Sequence, residues 1–166
     1  MDEKLYATDK AYDERCLAIL AEPREGVVCT VGLGSAPHSV PTWYLFENDR
    51  FLISTHSRSR RARNILENAI GRVLVVHSGG WISGTGAARL LFGKEFEALH
   101  NRVLERYLTE EGREKFVKAA AFPDDCILEI LAEKKSSWSK MSIAANIQKA
   151  GFSFEESANW FVPLAH

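Results

Sequence analysis

The sequence has almost no net charge, few cysteines and no long apolar run, and each shortage excludes a class of protein. With 21 Lys and Arg against 22 Asp and Glu, the formal net charge is -1. That gives no general attraction to nucleic acid or to an anionic membrane. Cys16, Cys29 and Cys126 are odd in number and widely spaced, which points to reduced, mostly buried thiols rather than a disulfide framework or zinc site. The histidines (His38, His56, His77, His100 and His166) show no paired ligand spacing, so no metal site is expected. No apolar run approaches the roughly 18 residues of a spanning helix. The start, MDEKLYATDK, lacks the basic and apolar regions of a signal peptide. A cytoplasmic protein without membrane contact is therefore expected. Internal repeats and low-complexity linkers are absent as well.

What remains is a chain of 166 residues, 46% hydrophobic and 26% charged, which suits one soluble globular domain over residues 1–166. Asp9 is the expected cap of a first helix carrying Tyr12, Cys16, Ile19 and Leu20, stopped by Pro23. Three strands of a meander follow: GVVCTVGL from Gly26, HSVPTWYLF from His38, and Phe51 to Thr55. Pro41 cannot donate a ladder hydrogen bond, so the second strand is expected to be broken, bulged or at an edge there. A break would leave backbone groups of Thr42, Trp43 and Tyr44 open to a ligand.

Arg72 to His77 reads as a fourth strand and Trp81 to Phe92 as a long fifth. Alternation places Ile82, Gly84, Gly86, Ala88 and Leu90 on one of its faces, and glycines inside a strand mark a barrel corner, a bulge or a close approach. Phe96, Leu99, His100, Val103 and Tyr107 recur on one face of a helix from about Lys94 to Leu108, where His100 is read as a satisfied core histidine. Thr109 is the expected cap of a further helix closed by Pro123, and DCILEILA from Asp125 the last strand, leading to Ser136, Ser137 and Trp138. Residues 139–166 form an extension with a possible helix from Ile143 to Lys149. Its Trp160, Phe161 and Val162 need burial on the barrel or on a partner subunit.

The stretch with the clearest chemistry is FLISTHSRSRRARNILEN, from Phe51 to Asn68. A strand runs through Thr55, His56, Ser57 and Ser59 into a helix that Ser59 caps. Free amides of the first helical turn, the positive end of the helix dipole and the guanidiniums of Arg60 and Arg61 together suit a phosphate. Arg58 and Arg63 enlarge the positive field. Arginine in a first turn opposes the dipole, which favours a bound anion over mere helix stability. A solvated charged helix face is the alternative reading of the same residues.

Thr55, three residues, then Ser59-Arg60-Arg61 resembles the Thr, three residues, Ser-Arg-Lys pattern of the pyridoxamine 5'-phosphate oxidase-like superfamily. HSVPTWY, GWISGTGAARL and ILEILAEKKSSW also resemble strands of that family, over roughly Ala18 to Trp138. The resemblance implies a mainly β fold, a six-stranded antiparallel split β-barrel of the flavin-binding type with flanking helices. It further implies a homodimer with FMN at each of two sites between protomers, acting as an oxidoreductase on a small molecule. Carried over by position, Ser54, Thr55, Arg60 and Arg61 hold the cofactor phosphate, with His56 to Ser59 beside them. Ser39, Val40, Pro41, Thr42, Trp43 and Tyr44 run along the isoalloxazine, and Trp81 contacts the ring or ribityl chain. No side chain is singled out as an acid or base. Members that oxidise pyridoxamine phosphate carry basic residues near Ser39 and Tyr44 and a basic tail; here the tail reads NWFVPLAH, which argues against vitamin B6 phosphate as substrate. The alternatives are a deazaflavin-dependent reductase of the same fold, whose longer anionic tail suits Arg58 and Arg63, and a non-enzymatic flavin or haem carrier, with His38 or His77 as the haem ligand.

Overall fold

The computed structural model describes residues 8–9, 11–120, 124–139, 146–153 and 155. Strands β1 (Thr8–Asp9), β2 (Gly26–Val31), β3 (Pro37–Thr42), β4 (Leu45–Glu47), β5 (Arg50–His56), β6 (Ile70–His77), β7 (Gly80–Leu91), β8 (Asp125–Leu131) and β9 (Lys134–Ser139) alternate with helices α1 (Glu14–Ala21), α2 (Arg60–Glu67), α3 (Lys94–Tyr107) and α4 (Glu110–Ala120). Every pairing is antiparallel. The expected mainly β split barrel with flanking helices is thus the fold, although the described residues hold nine strands rather than six.

Three expectations need correction. Asp9 lies in β1, and α1 is capped by Asp13, whose Oδ1 accepts from the Cys16 amide at 2.7 Å. The second strand is at an edge at Pro41, one of the expected alternatives, and divides further on into β3 and β4, with Tyr107 from α3 in the gap between them. Its hydroxyl accepts from the Tyr44 amide at 3.1 Å and lies within donating distance of the carbonyls of Tyr44 (2.9 Å) and Arg24 (2.7 Å). That replaces the ladder bonds the break removes. The strand beginning at Asp125 is followed by a separate strand, β9, which turns back onto β7. Of the expected helix after Ile143, residues 146–149 are helical; Trp160, Phe161 and Val162 lie outside the described residues.

Strand β7 joins the two halves of the barrel. Its first part, Gly80 to Thr85, pairs with β9, and its last, Ala88 to Leu91, pairs with β8. Between these, chain segments come too close for side chains, as the glycines predict. A Cβ on Gly86 would collide with the Leu131 carbonyl oxygen, and one on Gly84, at the end of the first part, would stand 2.7 Å from the Tyr12 hydroxyl and 2.8 Å from the Ala132 Cβ and the Phe51 ring. The core behind it packs Leu20, Val28, Tyr44, Phe51, Ile53, Val73, Leu128 and Ile130. A smaller cluster of Leu52, Leu91 and Ile127 seats α3 through Phe96 and Leu99. Burying one such side chain contributes about 1.5–3 kcal/mol, so β5, β7 and β8 are a rigid base for whatever their ends carry.

Candidate functional site

Strand β5 ends in the middle of this base, and the residues that follow it are polar. Ser59 caps α2 as its sequence predicts, its Oγ accepting from the Ala62 amide at 3.2 Å. The same Oγ accepts from the Thr55 hydroxyl at 3.1 Å, so the proton of Ser59 is left to donate elsewhere. Thr55 Oγ1 in turn accepts from Arg61 Nε at 2.8 Å. One chain of hydrogen bonds therefore fixes Thr55, Ser59 and Arg61 as a unit.

Arg61 is half-buried, and burial pushes its guanidinium pKa below the ordinary value, with only a small opposing effect from Cys126. Among the described residues no carboxylate pairs with Arg60, Arg61 or Arg63. Arg58 is different, since its Nε donates to Asp124 at 2.6 Å. The expected contribution of Arg58 to the positive field is therefore largely cancelled by Asp124. A desolvated guanidinium held by a threonine, with no carboxylate partner among the described residues, has the chemistry to receive an anion.

A recess of about 240 Å³ opens beside this unit, bordered by Thr42, Trp43, Ser54, Thr55, His56 and His100. Trp43 forms one wall, stacked on Tyr107 with ring centroids 5.0 Å apart and tilted against Phe116 at 5.8 Å. His100 is a residue that sequence reasoning put in the core. It is half-buried, stacks on Phe96 at 4.9 Å, and its Nδ1 is 2.5 Å from Ser54 Oγ. Burial pushes its imidazole pKa down from 6.5, against a smaller upward effect of Asp125. Its spacing on an apolar helix face gave no local signal of this role, because the polar partner lies in β5.

A second recess of about 240 Å³ lies on the other side of α2, where Arg60, Arg63, Asn64 and Glu67 face Gly32 and Gly34 of the β2–β3 turn. Glu67 is committed there to the Leu33 amide at 2.9 Å, and the buried Asn64 donates to Thr30 Oγ1 at 3.0 Å. The remaining expected residues are distributed more widely. Strand β3 is an edge strand, and Pro41 sits on it opposite Val27. Ser39 donates to Cys29 Sγ at 3.3 Å, Val40 packs against the core, and Tyr44 is fully buried under Arg106. Trp81 lines neither recess; it pairs with Val76 and Trp138 on the outer face of the other half of the barrel.

Comparison with known proteins agrees with this architecture. Residues 12–139 match the family described as pyridoxamine 5'-phosphate oxidase. No curated protein matches the sequence. Among solved structures, a conserved hypothetical protein from Mycobacterium tuberculosis is 20% identical with a TM-score of 0.63, covering 95% of each chain. An F420 reductase is 18% identical with a TM-score of 0.58, over 72% of this chain and 94% of its own. The heme storage protein HutZ from Vibrio cholerae is 12% identical with a TM-score of 0.60, over 76% of this chain and 93% of its own. At these identities the structures speak for the fold, and the match over residues 12–139 for the family. The chain belongs to the pyridoxamine 5'-phosphate oxidase family.

Proposed function

We propose that the protein binds FMN and acts as a flavin-dependent oxidoreductase on a small molecule. The observation that carries this reading is the Arg61–Thr55–Ser59 unit, with a half-buried guanidinium that no carboxylate of the described residues neutralises. A flavin phosphate carries about -1.5 to -2 charges at neutral pH, and each charge-assisted hydrogen bond contributes about 1.5–3 kcal/mol. Arg61, Ser59 and the amides that open α2 fit that group, with Arg60 close by. When bound, FMN supplies hydride chemistry; the protein holds, orients and shields it. Trp43, Thr42 and the free edge of β3 border the space beyond the phosphate.

That space is too small for a whole flavin, since pockets for such ligands are typically about 300–1,000 Å³. A second protomer would complete it. The outer face formed by β2, β6, β7 and β9 suits such contact, as Val76 and Ile70 are 60% and 56% exposed there, and register places Leu74, Trp81 and Trp138 on the same face. In that homodimer Trp81 reaches the flavin site of the partner protomer.

The second reading, a deazaflavin cofactor, is favoured by one observation: Arg60 and Arg63 line a separate recess and have no carboxylate partner among the described residues. A longer anionic tail would use both recesses. Absorbance and sedimentation of the purified protein test these readings together. FMN gives a yellow dimer with a flavin spectrum, a deazaflavin absorbs at shorter wavelength, and a Soret band marks haem. A colourless monomer that takes up no flavin would overturn the proposal.

A further inference from the structure

Thr55, which holds Arg61, and His100 both border the first recess. Ser54 and Thr55 are consecutive in β5, with Cα atoms about 3.8 Å apart. Thr55 turns toward α2 and holds Arg61; Ser54 turns toward α3 and holds His100. The two side chains leave opposite faces of the strand, yet both border the same recess, so one strand end positions a guanidinium and an imidazole around it. The ring of His100 is further set by its stack on Phe96. With Nδ1 engaged by Ser54, Nε2 is the nitrogen left for a ligand; the Ser54 hydroxyl donates to Nδ1 in one tautomer and accepts from it in the other.

We propose that His100 is a ligand-contacting residue, oriented by Ser54 so that Nε2 hydrogen-bonds the body of a phosphate-bearing heterocycle whose phosphate lies on Arg61 and Ser59. Ser54 is then a positioning residue, acting through the imidazole. This rests on the flavin reading and deepens it. The Ser54–His100 pair decides how the bound molecule is turned, while Arg61 decides how tightly its phosphate is held.

The test is an FMN titration of protein labelled with ¹⁵N at histidine, with ring nitrogens followed by NMR and binding followed by fluorescence quenching on the same samples. His100→Gln assigns the resonance. The expected result is that His100 Nε2 shifts with the midpoint of the quench while His77 stays still. His100→Leu then weakens FMN roughly five- to tenfold, His100→Gln recovers part of that loss, and Ser54→Ala alters the ring's tautomer balance. If FMN binds but the His100 resonance does not follow it, and His100→Leu binds as well as the wild type, the inference is overturned and the flavin reading stands. If FMN does not bind the wild type, the flavin reading fails and this inference fails with it.

Discussion

Around Glu47 and Glu129 the guanidiniums of Arg50, Arg89 and Arg102 all find carboxylates, whereas at the start of α2 those of Arg60, Arg61 and Arg63 find none among the described residues. Glu129 is buried between β5 and β7. Burial alone would push its carboxyl pKa up, but the hydrogen bonds from Arg89 and Arg50 outweigh that and hold it below the ordinary value. Both of its oxygens are matched inside the chain. Arg61 is also partly desolvated, yet among the described residues only the Thr55 hydroxyl answers it. Desolvating a charge costs free energy in either region, so a counter-charge from outside would stabilise the unmatched region, and this supports the proposal that it is the binding end of the barrel.

The largest effect expected from breaking the matched region is on stability. Glu129→Gln leaves the inner ends of two guanidinium contacts without a carboxylate and is expected to cost about 3 kcal/mol in urea unfolding, with FMN affinity unchanged within about twofold. Breaking the open region does the reverse: Arg61→Ala is expected to weaken FMN by about 2–3 kcal/mol, roughly 30- to 150-fold, and to cost less than about 1 kcal/mol in stability. A thermal midpoint that falls further for Arg61→Ala than for Glu129→Gln would break the comparison.

The matched region also has a pH signature. The carboxyl of Glu129 is held below its ordinary value of 4.5 in the folded protein. Its contribution is complete above about pH 4.5 and is lost as the pH falls through the lower folded-state value. Wild type should therefore lose stability on acidification below that point more steeply than Glu129→Gln. Parallel acid-unfolding curves would contradict this. The smallest effect is expected at the boundary between the two regions: Arg58 is exposed and paired with Asp124, so Arg58→Ala should change FMN affinity by no more than about twofold. A loss as large as that of Arg61→Ala would mean that the phosphate lies on Arg58 instead.

Much of this was legible in the residues, and the misses share a cause. The Ser59 cap and start of α2, the bounds of α3, the Thr109 cap of α4 and the close approach at the β7 glycines follow from local chemistry, and local chemistry shows in sequence. Asp13 rather than Asp9 caps α1 because two residues of the same type compete, and pairing of Asp9 with β9 settles it. The break between β3 and β4 depends on Tyr107, 63 residues away from Tyr44. His100 was placed on the correct helix face, but its partner Ser54 is 46 residues distant. Neutralisation of Arg58 by Asp124 spans 66 residues. Local pattern reports which residue types meet an element's needs; it does not report which distant polar group will share a site.

The central assignment is that the open guanidiniums of α2 hold a flavin phosphate. Its most direct test is a fluorescence-quench titration of cofactor-stripped protein with FMN, for wild type beside a variant with Arg60 and Arg61 both changed to Ala. The assignment predicts micromolar or tighter binding by wild type and a loss of at least about 3 kcal/mol, more than 100-fold, in the double variant. Wild-type protein that does not bind FMN, or a double variant that binds it equally well, would contradict it.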